Sequence, residues 1–145
     1  MPTLTLDSES LKTHLPHRGH NIIPDLVTMS ADRLTSTSIT HIPVNDLRGR
    51  ELLGRRDMGE GRWLYEPMLA ELLALTGVPL LHEQLAPGGQ VAVFSMISKL
   101  VLPELAPLHK LITGHATITR NRSGFTSFST RAECDGRTLL EAEVM

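Results

Sequence analysis

Cysteine is nearly absent from this chain of 145 residues, because Cys134 is the single one. One thiol cannot form a disulfide within the chain, so we expect a reducing compartment. Long apolar runs are missing as well, and none approaches the roughly 20 residues that a membrane-spanning helix needs. The N-terminal residues lack the basic and apolar stretches of a signal peptide. Together these absences predict a soluble cytoplasmic protein with no membrane partner.

Aromatic residues and excess charge are also scarce. The chain has one Trp, one Tyr and three Phe. This composition predicts an aliphatic core and leaves few surfaces on which nucleic-acid bases would stack. Fourteen basic residues face 16 acidic ones, which gives a net charge of −2. Such a balance does not favour nucleic acid as the main partner.

The length predicts one domain, residues 1–145, with an N-terminal arm over residues 1–14 that contains a short helix at Ser8–His14. The apolar segment Pro67–Gly77 predicts a buried helix, because Pro suits a first helical position and Gly the residue after the end. Residues 43–62 are rich in Gly and Arg and predict a long loop. Segments rich in β-branched or alternating residues predict six strands, at residues 21–29, 33–42, 90–100, 111–120, 125–134 and 137–145.

The last of these strands follows a good hairpin signal. Asp135-Gly136 suits a two-residue turn, because both residues tolerate a positive φ. Beyond the turn, the alternation places Leu140 and Val144 on one face of the strand and Leu139 on the other. An antiparallel sheet packed around one apolar helix is the α+β architecture that this order of elements favours.

Glu71 is the one ionisable residue in the apolar segment Pro67–Gly77. A carboxylate in such a helix must be paired, protonated or directed at a polar cavity. Burial favours the protonated form of a carboxyl group, which is how many enzymes obtain a general acid at neutral pH. The structural alternative is a partly exposed or salt-bridged glutamate.

Three segments resemble the FabZ-type (3R)-hydroxyacyl-acyl-carrier-protein dehydratases, which have the hotdog fold. Leu15-Pro-His-Arg18, with Asp25 ten residues after the leucine, is similar to the N-terminal motif of that family. The end of the chain, Asp135-Gly-Arg-Thr-Leu-Leu-Glu-Ala-Glu-Val-Met145, is similar to its final hairpin. The helix with Glu71 corresponds to its central helix. The resemblance implies an antiparallel sheet wrapped around a central buried helix.

The middle of the chain departs from the family pattern. The family has a catalytic His fourteen positions before its Glu, and Asp57 occupies that position here. Met58 follows in place of a Phe, and Tyr65-Glu66 replaces a Pro-Gly pair at the start of the helix. The resemblance therefore implies that one half of the catalytic pair is kept and the other is changed.

The resemblance also implies roles for these residues. Glu71 would be the general acid that protonates the leaving hydroxyl of a 3-hydroxyacyl thioester, and Asp57 a surrogate base or water activator. Tyr65 or Glu66 would present the start of the helix to the thioester carbonyl, with Met58 also in the substrate site. No cofactor and no metal is implied. For Asp57, the structural alternative is a solvated loop residue.

The same departures leave two other functions open. Hotdog thioesterases use an Asp or Glu near the central helix, so Asp57 or Glu71 suits that chemistry too. A chain that has lost the His also suits the inactive or acyl-binding partner of a heterodimer with a FabZ-like paralogue. The family resemblance implies a homodimer or heterodimer, and a hexamer in some members.

Arginines cluster in residues 48–62, and among them Arg55 and Arg56 suit a basic rim that binds an acidic acyl carrier protein. A solvated loop is the alternative, and coenzyme A is the other carrier that the sequence allows. The histidines have no metal-ligand spacing. His17 is interpreted as structural because it belongs to the Leu-Pro-His-Arg motif. His82, His109 or His115 remain candidates to replace the missing family His.

Overall fold

The computed structural model describes residues 2–43, 46, 48, 56–57, 62–64, 66–107 and 110–145, and for 56–57, 62–64 and 66 it describes the backbone alone. Within these residues the chain forms a seven-stranded antiparallel sheet and a second, three-stranded sheet of short strands. The large sheet has the strand order β1-β2-β3-β8-β9-β10-β6. Its strands are β1 Leu4–Asp7, β2 Leu26–Met29, β3 Thr35–His41, β6 Ile97–Val101, β8 Leu111–Arg122, β9 Phe125–Cys134 and β10 Arg137–Val144.

The small sheet has the order β4-β5-β7. Its strands are β4 Arg56–Asp57, β5 Arg62–Leu64 and β7 Ala106–Pro107. The prediction of an unbroken loop over residues 43–62 is therefore wrong at Arg56–Asp57 and at Arg62, because these backbones pair with neighbouring strands.

The central helix, α2, spans Glu66–Gly77 and packs on the inner face of the large sheet. Leu69, Leu72 and Leu73 are fully buried there. Gly77 is the last residue of α2 rather than the residue beyond it, and the chain stays helical. A 3-10 turn Val78–Leu81, the short helix α3 His82–Leu85 and a second 3-10 turn Ala86–Gly88 follow. Pro79 does not break the run, because it lies in the first turn of the 3-10 segment, where its missing N–H is not needed.

A short helix, α1, spans Ser8–His14 as predicted. The Asp7 side chain accepts a hydrogen bond of 2.8 Å from the Ser10 N–H and so caps the helix N-terminus. Asp7 also ends strand β1, which the sequence analysis missed inside the predicted arm. Leu11 is the fully buried residue of α1 and ties the helix to the core.

The C-terminal hairpins confirm the prediction closely, and the Asp135-Gly136 turn has positive φ at both residues. One facing was predicted wrongly: Leu139 and Leu140 are both buried. The register of β10 against β9 shifts between Thr138 and Leu140, and such a bulge turns two successive side chains toward the core.

Three strands begin later than predicted, and β3, which begins at Thr35 rather than Arg33, differs least. β2 begins at Leu26 rather than Asn21, because Gly19–Asn21 forms a 3-10 turn. β6 begins at Ile97 rather than Gln90. The predicted α+β architecture, an antiparallel sheet around one central helix, is confirmed. Among the described residues, no helix is both long and apolar enough to cross a membrane.

Candidate functional site

Glu71 lies on α2 beside the buried Leu72. Its neighbour Leu72 is fully buried, whereas the Glu71 side chain keeps 35% of its accessible surface. The carboxylate therefore sits at the border of the core rather than inside it. Of the three states expected from the sequence, the structure shows the paired one.

The partner of Glu71 is His17. The Nε2 atom of His17 lies 3.1 Å from Oε1 of Glu71, and the imidazole keeps 29% of its accessible surface. His17 belongs to the segment that follows α1 and passes beside α2. The fold therefore joins two residues that are 54 positions apart in the sequence.

Local contacts fix the backbone on which His17 is carried. The Leu15 N–H donates to the Leu11 carbonyl at 2.9 Å, and the Leu15 side chain is buried. Arg18 Nη1 donates to the carbonyls of Leu15 and His17 at 2.8 and 2.6 Å. These bonds hold the Leu-Pro-His-Arg turn closed, and they explain why the motif places an imidazole on Glu71.

The second nitrogen of His17 has a different environment. Nδ1 is buried and has no hydrogen-bond partner among the described residues. A neutral imidazole carries one N–H and one lone pair, whereas an imidazolium carries two N–H groups. An orphaned buried N–H is rarer in proteins than an under-satisfied acceptor. The burial of Nδ1 therefore favours a lone pair rather than an N–H at that atom.

An apolar groove of about 400 Å³ begins one helical turn beyond Glu71. Ala74 and Val78 line it from α2 and the following turn, and they share a helix face with Glu71 because they are three and seven residues away. Phe94, Phe125 and Phe128 also line it. The site thus combines a partly exposed carboxylate with an adjoining apolar space.

Of the other predicted site residues, three are described by their backbone alone and three lie outside the described residues. Asp57 is in β4, where its backbone pairs with Trp63 of β5, and Arg56 pairs with Leu64. Glu66 is the first residue of α2. Arg55, Met58 and Tyr65 lie outside the described residues. The predicted roles of these six residues stay predictions.

Two of the three candidate histidines have other partners. The His82 ring packs on the His14 ring with centroids 4.1 Å apart, and His115 Nε2 lies 2.8 Å from Glu133 Oε1. His109 lies outside the described residues. The interpretation of His17 as structural stays a prediction, and it did not include the contact with Glu71. The motif itself was the available signal, because it places a histidine near the central helix.

The described residues contain no group of three or more His, Cys, Asp or Glu arranged to hold a metal ion. The one described cysteine, Cys134, is buried. Burial raises the pKa of its thiol above the ordinary value. A thiol in that state is a poor nucleophile.

No family model and no curated protein sequence matches the chain. Solved structures do. A structure of the dehydratase heterocomplex ApeI:P from Xenorhabdus doucetiae is similar, with a TM-score of 0.71 and 12% identity over 92% of this chain and 87% of that one. The Escherichia coli PaaI protein from the phenylacetic acid degradation operon has a TM-score of 0.58 and 12% identity over 80% of this chain and 77% of its own.

A third similar structure is a hypothetical thioesterase protein with coenzyme A from Streptococcus pneumoniae. Its TM-score is 0.53 and its identity 12%, over 77% of this chain and 76% of that one. Identities at this level establish the fold and leave the activity open. The sheet wrapped around α2, together with these likenesses, shows that the chain has the hotdog fold.

Proposed function

We propose that this chain is a FabZ-like dehydratase of 3-hydroxyacyl thioesters, working alone or as one subunit of a heterodimer. The observation that carries the proposal is the position of the Glu71 carboxylate, one-third exposed and followed along the same helix face by an apolar groove. This arrangement matches a 3-hydroxyacyl thioester, because the polar reacting end of that molecule continues into an apolar chain. The similar structure from Xenorhabdus doucetiae is a dehydratase heterocomplex.

The reaction removes a proton from the α-carbon and expels the β-hydroxyl as water, leaving an enoyl thioester. Glu71 is the residue that exchanges protons with the substrate. The start of α2 at Glu66 offers backbone N–H groups, and these suit a thioester carbonyl that gains negative charge. Asp57 is the proposed base, as the sequence suggests. Met58 and Tyr65 are the residues proposed to bind the substrate.

Acyl carrier protein is the proposed carrier, with Arg55 and Arg56 as the basic rim that steers it. Coenzyme A is the alternative carrier. The similar structure from Streptococcus pneumoniae contains coenzyme A. The proposed assembly is a dimer, of two copies or with a FabZ-like paralogue, and the family resemblance extends the proposal to a hexamer.

Thioester hydrolysis is the second candidate, since a carboxylate beside an acyl groove also suits the activation of water. The similar protein from Streptococcus pneumoniae is a hypothetical thioesterase. The two reactions give different products from the same substrate. A non-catalytic partner or acyl-binding subunit would give neither product by itself.

The test is an incubation of the purified chain with 3-hydroxyacyl thioesters of carrier protein and of coenzyme A, followed by mass spectrometry. Loss of water with the thioester intact is the expected result. Free acid would replace the proposal with the thioesterase. Turnover that requires an added FabZ-like paralogue supports the heterodimer, and no turnover in either mixture contradicts an enzymatic role.

A further inference from the structure

We propose that a second pocket binds the carboxylate of a free fatty acid whose chain lies in the apolar groove. This basic pocket has a volume of about 290 Å³ and is lined by α1, the turn that follows it, and the helical segment beyond α2. The side chains that give it positive charge are Lys12, His14, Arg18 and His82. None of the described residues that line it is an Asp or a Glu. The proposal goes beyond the dehydratase function and does not depend on it.

Arg18 is the group in the basic pocket that suits an anion best. Its Nη1 atom donates to the carbonyls of Leu15 and His17 at 2.8 and 2.6 Å, and these bonds orient the guanidinium. Its Nε and Nη2 atoms have no hydrogen-bond partner among the described residues. Two such nitrogens form the edge of a guanidinium that binds both oxygens of a carboxylate. Lys12 contributes less, because its Nζ atom lies 2.6 Å from the Glu9 carboxylate.

The surroundings of His14 point in the same direction. Burial lowers the pKa of His14, and the charges of His82 and Arg33 lower it further. The Ser10 carbonyl and Glu83 act against this lowering. The two neighbouring cationic groups oppose a further positive charge on the ring, and a bound anion would offset that opposition.

The basic pocket and the apolar groove are neighbours. Val78, Leu85, Val91 and Ala92 line both of them. A molecule that fills the two spaces together therefore needs an anionic head and an aliphatic tail. A fatty acid has this form, because its carboxylate matches the Arg18 guanidinium and its chain matches the groove of about 400 Å³. A plain phosphate would use the basic pocket alone, and the phosphate of a pantetheine arm is a further source of negative charge.

The first experiment measures binding of hexanoate, octanoate and decanoate by calorimetry. Each added methylene is expected to tighten the Kd about threefold to fourfold, because it enters the apolar groove. Arg18→Gln is expected to weaken decanoate binding about tenfold, because a charge-assisted hydrogen bond is lost. Decanol has the same tail without the charge, so its weaker binding is expected to change less than about twofold in Arg18→Gln. Arg137→Gln is the matched control, since Arg137 lies on β10 and pairs with Glu104 at 3.4 Å.

Arg18 also bonds two backbone carbonyls, so a second variant separates charge from folding. Arg18→Lys keeps the charge and loses the planar edge, and it is expected to bind decanoate with an affinity between those of the parent and Arg18→Gln. Thermal unfolding checks that each variant is folded. Equal affinity of the parent for decanoate and decanol, or parent-level binding of decanoate by Arg18→Gln, would overturn the inference. Inorganic phosphate or phosphopantetheine that binds as tightly as decanoate would assign the pocket to those anions and also contradict it.

The second experiment follows the histidine rings by NMR during a pH titration, with decanesulfonate as a probe that stays ionised. The bound probe is expected to raise the pKa of His14, because a nearby negative charge favours the imidazolium. The signals of His115, which lies on β8 beside Glu133, are expected to stay in place when the probe is added. A His14 titration that ignores the probe would contradict the site. Neither experiment requires turnover, so the inference is decided even if the chain forms no enoyl product.

Discussion

Ser38 on β3 and Thr76 on α2 share a hydrogen bond of 2.7 Å between their hydroxyl oxygens, across the contact between sheet and helix. Both side chains are fully buried. Thr76 Oγ1 also lies 2.7 Å from the Leu72 carbonyl, and Ser36 Oγ donates to the Thr76 carbonyl at 2.6 Å. These hydroxyl contacts fix the second half of α2 on β3, and they hold the helix whose first half carries Glu71.

Gly114 on β8 lies opposite Ser38 and leaves room for this contact. A Cβ at position 114 would lie 2.9 Å from Thr76 Oγ1 and closer still to Ser38 Oγ. We expect Gly114→Ala to lower the free energy of unfolding by about 1–3 kcal/mol, because the core must shift to admit a methyl group. Urea denaturation measures the change. Gly88→Ala is the control, since a Cβ there meets only the flexible Gln90 side chain at 3.5 Å. Equal stability of the two variants would contradict the steric role of Gly114.

Substitution of Glu71 by Gln keeps the shape of the side chain and removes its ability to exchange protons. We expect kcat for dehydration to fall by about 10²- to 10⁴-fold, the range for loss of general acid–base catalysis. Thermal unfolding is expected to stay close to that of the parent, since the side chain is one-third exposed. Glu83→Gln is the control, because that glutamate binds Arg33 on the surface at 3.1 Å. Parent-level activity in Glu71→Gln would remove Glu71 from the mechanism.

His14 gives the folded chain a pH dependence. Burial lowers the pKa of His14 below its ordinary value of 6.5, while the Ser10 carbonyl partly opposes this. His82, Arg33 and Glu83 are the charged or titratable groups that face the ring.

Below its ordinary pKa, the unfolded chain therefore binds a proton at His14 more readily than the folded chain does. Stability is then lost as the pH falls from about 6.5 toward the lower folded pKa, and is fully present above 6.5. We expect the melting temperature to drop less between about pH 7.5 and pH 5 in His14→Gln than in the parent. Identical drops would show that His14 does not contribute to acid sensitivity.

Strand β6 bears on the proposed dimer. It pairs with β10 along one side and has no strand partner on the other side among the described residues. Leu100 and Val101 are 43% and 53% exposed, and the preceding Val93 is 79% exposed. An open apolar edge of this kind favours pairing with another chain.

We expect sedimentation to give a dimer for the parent and a monomer for Leu100→Lys, because a lysine at the edge opposes strand pairing. Leu34→Lys is the matched control. Leu34 is 50% exposed and precedes β3, away from the open edge. A dimer that survives Leu100→Lys would place the interface on another surface.

The parts of the fold that the sequence predicted correctly depend on local signals. The helix Ser8–His14 and the C-terminal hairpins were anticipated because their periodicity and the Asp135-Gly136 turn act over a few residues. The bulge at Leu139 was not predicted. One inserted residue reverses which side chains face the core, and the composition of the strand does not reveal it. Residues 91–96 alternate like a strand, but regular pairing starts only at Ile97. The prediction failed for these residues because strand pairing depends on a neighbouring strand, and the local sequence does not show which strand that is.

The candidate site shows the same division between local signals and long-range contacts. Glu71 was found because one carboxylate in an apolar helix is visible in the sequence. Its partner was missed because His17 reaches it only after the N-terminal segment has folded back beside α2. The count of positions that led to Asp57 followed the family pattern along the chain. A contact between distant segments has no such spacing, so the histidine facing Glu71 had to be read from the structure.

A pair formed within one chain has a consequence for mixed assemblies. Since His17 and Glu71 belong to the same chain, a dimer of two copies contains two Glu71 carboxylates, each beside its own His17. Co-assembly of parent subunits with Glu71→Gln subunits would then lower activity in proportion to the fraction of altered chains. In an assembly of this kind, a substitution that inactivates the site of one subunit leaves the site of the other subunit active.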